Sequence, residues 1–203
     1  MYQKFVKRFL DIILSALALI VASPLFLLLA VWIKLDSKGP VFFRQKRIGI
    51  HRTTFEILKF RSMRTDTPRD LATHLLSNPD QWITRAGRFL RKTSLDELPQ
   101  LINILRGEMS IIGPRPALWN QDDLVELREV YGANDVVPGL TGWAQINGRD
   151  SISIEEKARL DGEYASKISF AMDIKCLFRT VAVVLKREGY EEGQHENSAS
   201  EQK

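Results

Sequence analysis

Hydrophobic positions are continuous near the N-terminus of this chain and periodic further on. From Ile12 to Ile33 there are 22 residues without a charge, and Ser15 and Ser23 are the only polar side chains among them. A straight helix of that length reaches about 33 Å, enough to cross a bilayer. Pro24 sits near its middle, where it removes a backbone donor and crowds the preceding turn. The pair Ser23-Pro24 therefore predicts a helix broken into two arms of about 15 Å, each half the hydrocarbon thickness. The Ser23 hydroxyl is placed to satisfy a carbonyl that the proline frees, which matters in lipid because no water can do so. Lys4, Lys7 and Arg8 precede the run, and Lys34, Lys38, Arg44, Lys46 and Arg47 follow it. The positive-inside tendency would hold both ends in the cytoplasm, which a single span cannot satisfy. The pattern predicts a re-entrant helix over residues 1–36 that dips into one leaflet and returns. An ordinary span with a proline kink and a cleaved signal peptide are the alternatives. The second fits poorly, because the apolar run continues past any reasonable cleavage point.

Beyond residue 36 the pattern breaks into short elements. Val41 to Phe43 and Thr53 to Phe60 are β-branched and aromatic runs around a basic turn containing Gly49, which predicts a β-hairpin. Residues 65–84 are polar and punctuated by Pro68 and Pro79, as in a loop with a short helix. Ile83 to Gly107 reads as helix with a change near Ser94, and Gly107 is a natural stop. Gly113-Pro114-Arg115-Pro116 is a stiff loop, and Leu118 to Tyr131 an acidic amphipathic helix. Residues 137–150 are turn-rich, and Ile154 to Ser166 and Phe170 to Arg187 are helices. In the last of these, Met172, Leu177, Phe178, Val181, Val184 and Leu185 recur at helical spacing beside Lys175, Arg179, Lys186 and Arg187. That periodicity serves equally a helix lying in a membrane interface and one packed on the protein's own core. No internal repeat is evident. The expected class is α+β, mainly α: a membrane helix (1–36), a small cytosolic domain with a hairpin and interfacial amphipathic helices (37–187), and an acidic, disordered tail (188–203).

Charge sharpens this division. The last 16 of 203 residues hold five acids and one base, and residues 1–187 carry 28 basic against 20 acidic side chains. A distinctly basic body favours an anionic partner. The single cysteine, Cys176, excludes an internal disulfide and suits a reducing compartment. Its three companion histidines are scattered along the chain, which argues against a Cys/His zinc site.

The candidate chemistry lies in Arg91-Lys92-Thr93-Ser94-Leu95-Asp96-Glu97-Leu98-Pro99-Gln100. Ser94 and Glu97 have capping-box spacing, so Asp96 and Glu97 would occupy the first turn of a helix, where acids are common for dipole reasons alone. Pro99 fits that start badly, since it would lack a donor inside the helix. Cations surround the pair in sequence: Arg85, Arg88, Arg91 and Lys92 before it, Arg115 between two prolines, Arg149 after a second glycine turn, and Lys59 and Arg61 at the end of the hairpin. Guanidinium groups match phosphate oxygens, and two carboxylates in such a setting can bind a divalent cation, or one of them can attack phosphorus. The cations and the helix dipole would keep Asp96 ionised and reactive. Taken singly, each arginine is more often a solvated surface charge.

Five blocks now stand in order. They are Lys7-Arg8 ahead of an apolar helix with Ser23-Pro24; Lys59-Phe60-Arg61-Ser62-Met63; Ser94-Leu95-Asp96-Glu97-Leu98-Pro99-Gln100; Gly113-Pro114-Arg115-Pro116; and the run from Pro138 to Arg149. Over residues 1–187 this set resembles the small, catalytic-domain-only monotopic polyprenyl-phosphate phosphoglycosyl transferases of bacteria. The resemblance implies transfer of a phospho-sugar from a UDP-sugar to undecaprenyl phosphate, with release of UMP, as the first membrane step of glycoconjugate synthesis. It implies Asp96 as the nucleophile of a covalent phospho-sugar intermediate and Glu97 as the second carboxylate, the two associated with Mg²⁺. Lys59, Arg91, Arg115 and Arg149 would bind substrate. It places the enzyme at the bacterial inner membrane, facing the cytoplasm, with membrane lipid as its setting and no nucleic acid as partner. The competing classes are a lipid phosphatase and a non-catalytic membrane scaffold. Sugar identity, final polymer and oligomeric state are not legible.

Overall fold

The computed structural model describes residues 2–68, 78–148 and 151–186. The apolar N-terminal run forms α1 (Lys7–Asp36), a single 30-residue helix that contains Pro24. The expected break at Ser23-Pro24 is therefore replaced by a helix that runs on, and the reason is local. Pro24 has no donor for the carbonyl of Ile20, and the Ser23 hydroxyl donates to that oxygen at 2.8 Å. The group freed by the proline stays paired, so the helix need not end there.

One face of α1 meets the rest of the chain. Lys7, Asp11, Ser15, Leu29 and Ile33 are buried, and Leu19 and Phe26 between them pack on the core. Spacings of three and four residues keep this stripe on one side of a 3.6-residue helix. The remainder is exposed: only 11% of its most apolar 18-residue window is buried, so α1 is no core helix of a soluble fold. Among the described residues it is the one helix long and apolar enough to cross a membrane.

Both ends of α1 are tied to the body. At its start, Lys7 Nζ pairs with Asp173 Oδ2 at 2.7 Å, Arg8 donates to the carbonyls of Ile104 and Leu105, and Asp11 Oδ1 accepts from the Ile111 amide. At its end, the buried Arg61 guanidinium donates to the carbonyls of Ile33, Ser37 and Lys38, and Asp36 accepts from the Ala86 amide. Arg61 thus serves carbonyls at the C-terminal end of α1.

The hairpin forms as expected from β1 (Phe42–Ile48) and β2 (Thr54–Phe60), with Phe42 opposite Phe60 and Ile48 opposite Thr54. Arg44, Lys46 and Arg47, expected in the turn, continue strand β1 instead. The Ile83–Gly107 stretch divides near Ser94 into α2 (Arg85–Lys92) and α3 (Gln100–Arg106), and Gly107 ends α3 in the left-handed region at φ +87°. A second small sheet follows: β3 (Ser110–Ile112) pairs in parallel with β4 (Gly139–Thr141). Three residues are too few to show a period, so the sequence gives no sign of it. α4 (Asp122–Val130) is shorter than the expected 118–131, and α5 (Trp143–Ile146) lies within the turn-rich segment. α6 (Ile154–Ser166) and α7 (Phe170–Lys186) complete a mainly helical fold. On α7, Asp173 and Cys176 face inward while Phe170, Phe178 and Val181 are exposed; core burial does not account for those apolar side chains. The short helix expected within 65–84 falls largely on residues outside those described, as do Arg187 and the tail 188–203.

Candidate active site

Asp96 and Glu97 lie in a short 3₁₀ turn, Leu95–Glu97, between α2 and α3. The expected capping box is absent. Ser94 adopts φ +55°, ψ +17°, and its side chain caps nothing. A non-glycine residue in that region costs of order 1–3 kcal/mol and persists where its surroundings over-determine it. Here the Ser94 amide donates to the Arg91 carbonyl, and the Ser94 carbonyl accepts from the Glu97 amide. The sharp turn makes Pro99 the N-cap of α3, a place where its missing donor is harmless.

Two segments converge on the turn. Lys59, near the end of β2, brings Nζ to 2.8 Å from Glu97 Oε1, and Arg115, in the loop after β3, brings Nη2 to 2.9 Å from the same oxygen. Burial raises the Glu97 carboxyl, but Arg115 and Lys59 overcome it and hold the group well below the usual carboxylate range. Asp96 is buried, and burial pushes its carboxyl upward; Lys59 opposes this, the neighbouring Glu97 adds to it, and Arg91 and Arg115 oppose it in turn. Burial thus outweighs the cations in setting the direction at Asp96, whose carboxyl is raised, while at Glu97 the cations prevail. Lys59, Arg91 and Arg115, expected to bind substrate, all act electrostatically on Asp96, and Lys59 and Arg115 on Glu97 as well. Arg149 lies outside the described residues.

Close backbone approach positions the Arg115 loop. A Cβ on Gly139 would meet Gly113 N at 2.1 Å, and one on Gly142 would meet Gly113 O at 2.0 Å. Only glycine lets these segments touch. Two guanidiniums, that of the buried Arg128 and that of the half-buried Arg47, complete the hold. Arg128 Nη2 donates to the Arg115 carbonyl at 2.9 Å, and Arg47 Nη1 donates to the Pro116 carbonyl at 3.1 Å. Arg128 is held in turn by Asp161, its Nε donating to Oδ2 at 2.9 Å. Desolvation lowers Arg47 to about 9, with Arg115 contributing and Glu97 opposing. Neither the Arg128–Asp161 pair nor the part played by Arg47 follows from the motifs. A signal did exist: Arg128 continues the buried stripe of Leu124 and Val125 on α4.

Two adjacent carboxylates, one already charge-neutralised, define the metal-binding capacity. Among the described residues no cluster of three or more His, Cys, Asp or Glu forms. That donor set suits Mg²⁺, which takes one or two carboxylates and completes its shell with water and phosphate oxygens, better than an all-protein cage.

The arrangement is a buried carboxyl beside an ion-paired one, with cations around both, next to a long apolar helix. Residues 2–187 match the family described as bacterial sugar transferase, and the chain belongs to that family. It is 43% identical over 190 residues to the uncharacterized sugar transferase EpsL of Bacillus subtilis, covering 93% of this chain and 92% of that one. It is 45% identical over 185 residues to an undecaprenyl-phosphate glucose phosphotransferase of Komagataeibacter xylinus, covering 86% of this chain and 35% of the relative. It is 43% identical over 186 residues to the UDP-glucose:undecaprenyl-phosphate glucose-1-phosphate transferase of Escherichia coli, covering 88% and 40%. The chain therefore spans less than half the length of the latter two. The resemblance read from the motifs agrees with these matches.

Proposed function

We propose that this chain is a phosphoglycosyl transferase that moves a sugar 1-phosphate from a UDP-sugar to a polyprenyl phosphate, undecaprenyl phosphate by analogy with the named relatives. The observation that carries the reading is the Asp96–Glu97 turn, with Lys59 and Arg115 both on Glu97 Oε1. A carboxylate that attacks a phosphate diester is repelled by it, so cations must offset the charge on the phosphoryl oxygens. In the proposed cycle an Asp96 carboxylate oxygen attacks the phosphorus that bears the sugar. The bond from that phosphorus to the bridging oxygen breaks, and UMP leaves with the electron pair. The acceptor's phosphate oxygen then attacks the same phosphorus, which frees Asp96 as a carboxylate and yields the lipid diphosphate sugar. Asp96 must be ionised to attack; Lys59, Arg91 and Arg115 oppose the burial that would protonate it. Mg²⁺ held by Asp96 and Glu97 would supply further charge neutralisation at the phosphates.

One substrate is soluble and the other sits at the bilayer surface, so the site must lie near the headgroup plane. The ties at both ends of α1 support a re-entrant placement, for which the continuous helix would have to bend at Pro24. The start of the helix is bound to α3, β3 and α7 and its end to β2 and α2. Two ends fixed to one body lie on one side of a membrane, here the cytoplasmic face of the inner membrane. The exposed Phe178 and Val181 of α7 add apolar surface for the interface.

The test is UMP release by the full chain in lipid nanodiscs, across a panel of UDP-sugars with undecaprenyl phosphate. Release that needs the acceptor for sustained turnover, stops with EDTA and returns with Mg²⁺ is the expected result. Asp96→Asn should abolish turnover and the phospho-sugar mass on the peptide carrying residue 96. Release of inorganic phosphate from the lipid without UMP would instead make the protein a phosphatase.

A further inference from the structure

A cavity of about 230 Å³ opens between α3, β4 and α7, with Ser94 and Glu97 at one end. Its walls are apolar: Leu98 and Leu101 on one side, Leu140 on another, and Leu177 and Val183 from α7. The threonine hydroxyls on its surface are engaged within the protein. Thr141 and Thr180 bond each other at 2.8 Å, and Thr180 Oγ1 also donates to the Cys176 carbonyl at 2.8 Å. The volume is below the ~300–1,000 Å³ typical of small-molecule sites, too small for a whole nucleotide-sugar but sufficient for a short branched hydrocarbon segment.

Its position points to the lipid side. Leu98, Leu101 and Leu140 belong to the same packed cluster as Leu19 of α1, so this wall is continuous with the apolar helix. On the α7 wall, Leu177 is 38% exposed, and Phe178 and Val181 beyond it are more so. The lining thus runs from Glu97, whose carboxylate is paired with Lys59 and Arg115, to apolar side chains that border the exposed face of α7. That gradient complements a phosphate joined to a hydrocarbon chain. A single feature favours a different ligand: Gln145 Oε1, also at the cavity, is a buried acceptor without a partner, and a sugar hydroxyl would suit it.

We propose that this cavity receives the first isoprene units of the acceptor lipid and so delivers its phosphate to the Asp96–Glu97 turn. The assignment rests on the transferase reading above and adds the place where the acceptor chain binds.

Two measurements on the full chain in nanodiscs test it. A polyprenyl phosphate with a diazirine in its first isoprene unit should label wild-type peptides containing Leu140 or residues 177–183, and excess undecaprenyl phosphate should suppress the label. Leu177→Trp, which fills the cavity from α7, should raise KM for the acceptor about tenfold while KM for the UDP-sugar stays within about twofold. Label confined to α1, or an unchanged acceptor KM, overturns the site. A rise in KM for the UDP-sugar alone reassigns the cavity to the sugar. Should the variant fail to fold, the wild-type labelling pattern decides. Absence of UMP release from the wild type with every UDP-sugar would defeat the transferase reading. UMP release without label on β4 or α7 would defeat only the assignment of this cavity.

Discussion

Glu97 Oε1 is shared by Lys59 and Arg115, whereas Asp96, one residue earlier, has the greater part of its environment made by burial. Neighbouring groups pushed in opposite directions are a mark of sites that need two protonation behaviours from one residue type. The contrast gives a signed prediction. Lys59 is the foremost cation holding Asp96 down, so Lys59→Met should raise Asp96 further. In the proposed cycle attack requires the ionised carboxylate, so the acid limb of the UMP-release rate should then move to higher pH. At a fixed neutral pH the rate should drop by about a hundredfold or more, the usual effect of removing one charge-stabilising donor. A pH–rate profile of both proteins checks this; an unmoved acid limb would mean that Asp96 does not set it. At this scale the sequence is informative about the groups themselves, since Asp96, Glu97, Lys59, Arg91 and Arg115 all sit in recognisable blocks. It is silent on Arg47 and Arg128, which act on backbone carbonyls of the Arg115 loop. Breaking a buried pair from one side leaves an uncompensated charge, so Asp161→Ala should cost about 3–5 kcal/mol by chemical denaturation.

Helix α1 is where sequence and structure differ most: the expected Ser23 bond to the freed carbonyl forms, yet the helix continues through Pro24 where a break was expected. Proline at position 24 is a sound reason to expect an interruption, yet Ser23 Oγ supplies the donor that Ile20 O would otherwise lack. A serine mid-helix can therefore act as a substitute for the following residue's missing amide. This predicts a thermodynamic coupling. Ser23→Ala should destabilise the protein by about 1–3 kcal/mol, the cost of leaving a polar group unpaired away from water. In a Pro24→Ala background, where residue 24 recovers its own amide, the same change should cost much less. Equal losses in both backgrounds, measured by thermal unfolding in one detergent, would show that the hydroxyl does not serve this carbonyl. The hairpin, α2, α3, α6 and α7 are legible from periodicity and stops because each is long enough to show a period or has a clear terminator such as Gly107. β3 and β4 are not, because their pairing is set by the Gly113, Gly139 and Gly142 contacts between segments far apart in sequence. The left-handed Ser94 is hidden for a similar reason: its conformation is imposed by the turn around it.

For the molecule as a whole, the decisive relation is between the two ends of α1 and the body that holds them. Asp173 alone accepts from Lys7, from the Tyr2 hydroxyl and from the Tyr164 hydroxyl, and so joins the start of α1 to α6 and α7. At the other end Arg61 and Asp36 bind it to β2 and α2. If this body sits on one face of a membrane, residues before and after α1 must share that face. Single cysteines at the exposed positions Lys4 and Lys38 report this directly. The native Cys176 need not be removed: it is fully buried, and burial, with Asp173 adding, pushes its thiol up to about 11, so it stays protonated and unreactive at neutral pH. In spheroplasts, a membrane-impermeant maleimide should label neither position until the cells are lysed, and both thereafter. One position labelled from outside would make α1 a span, and the contacts at its two ends could not then coexist in the membrane-bound protein.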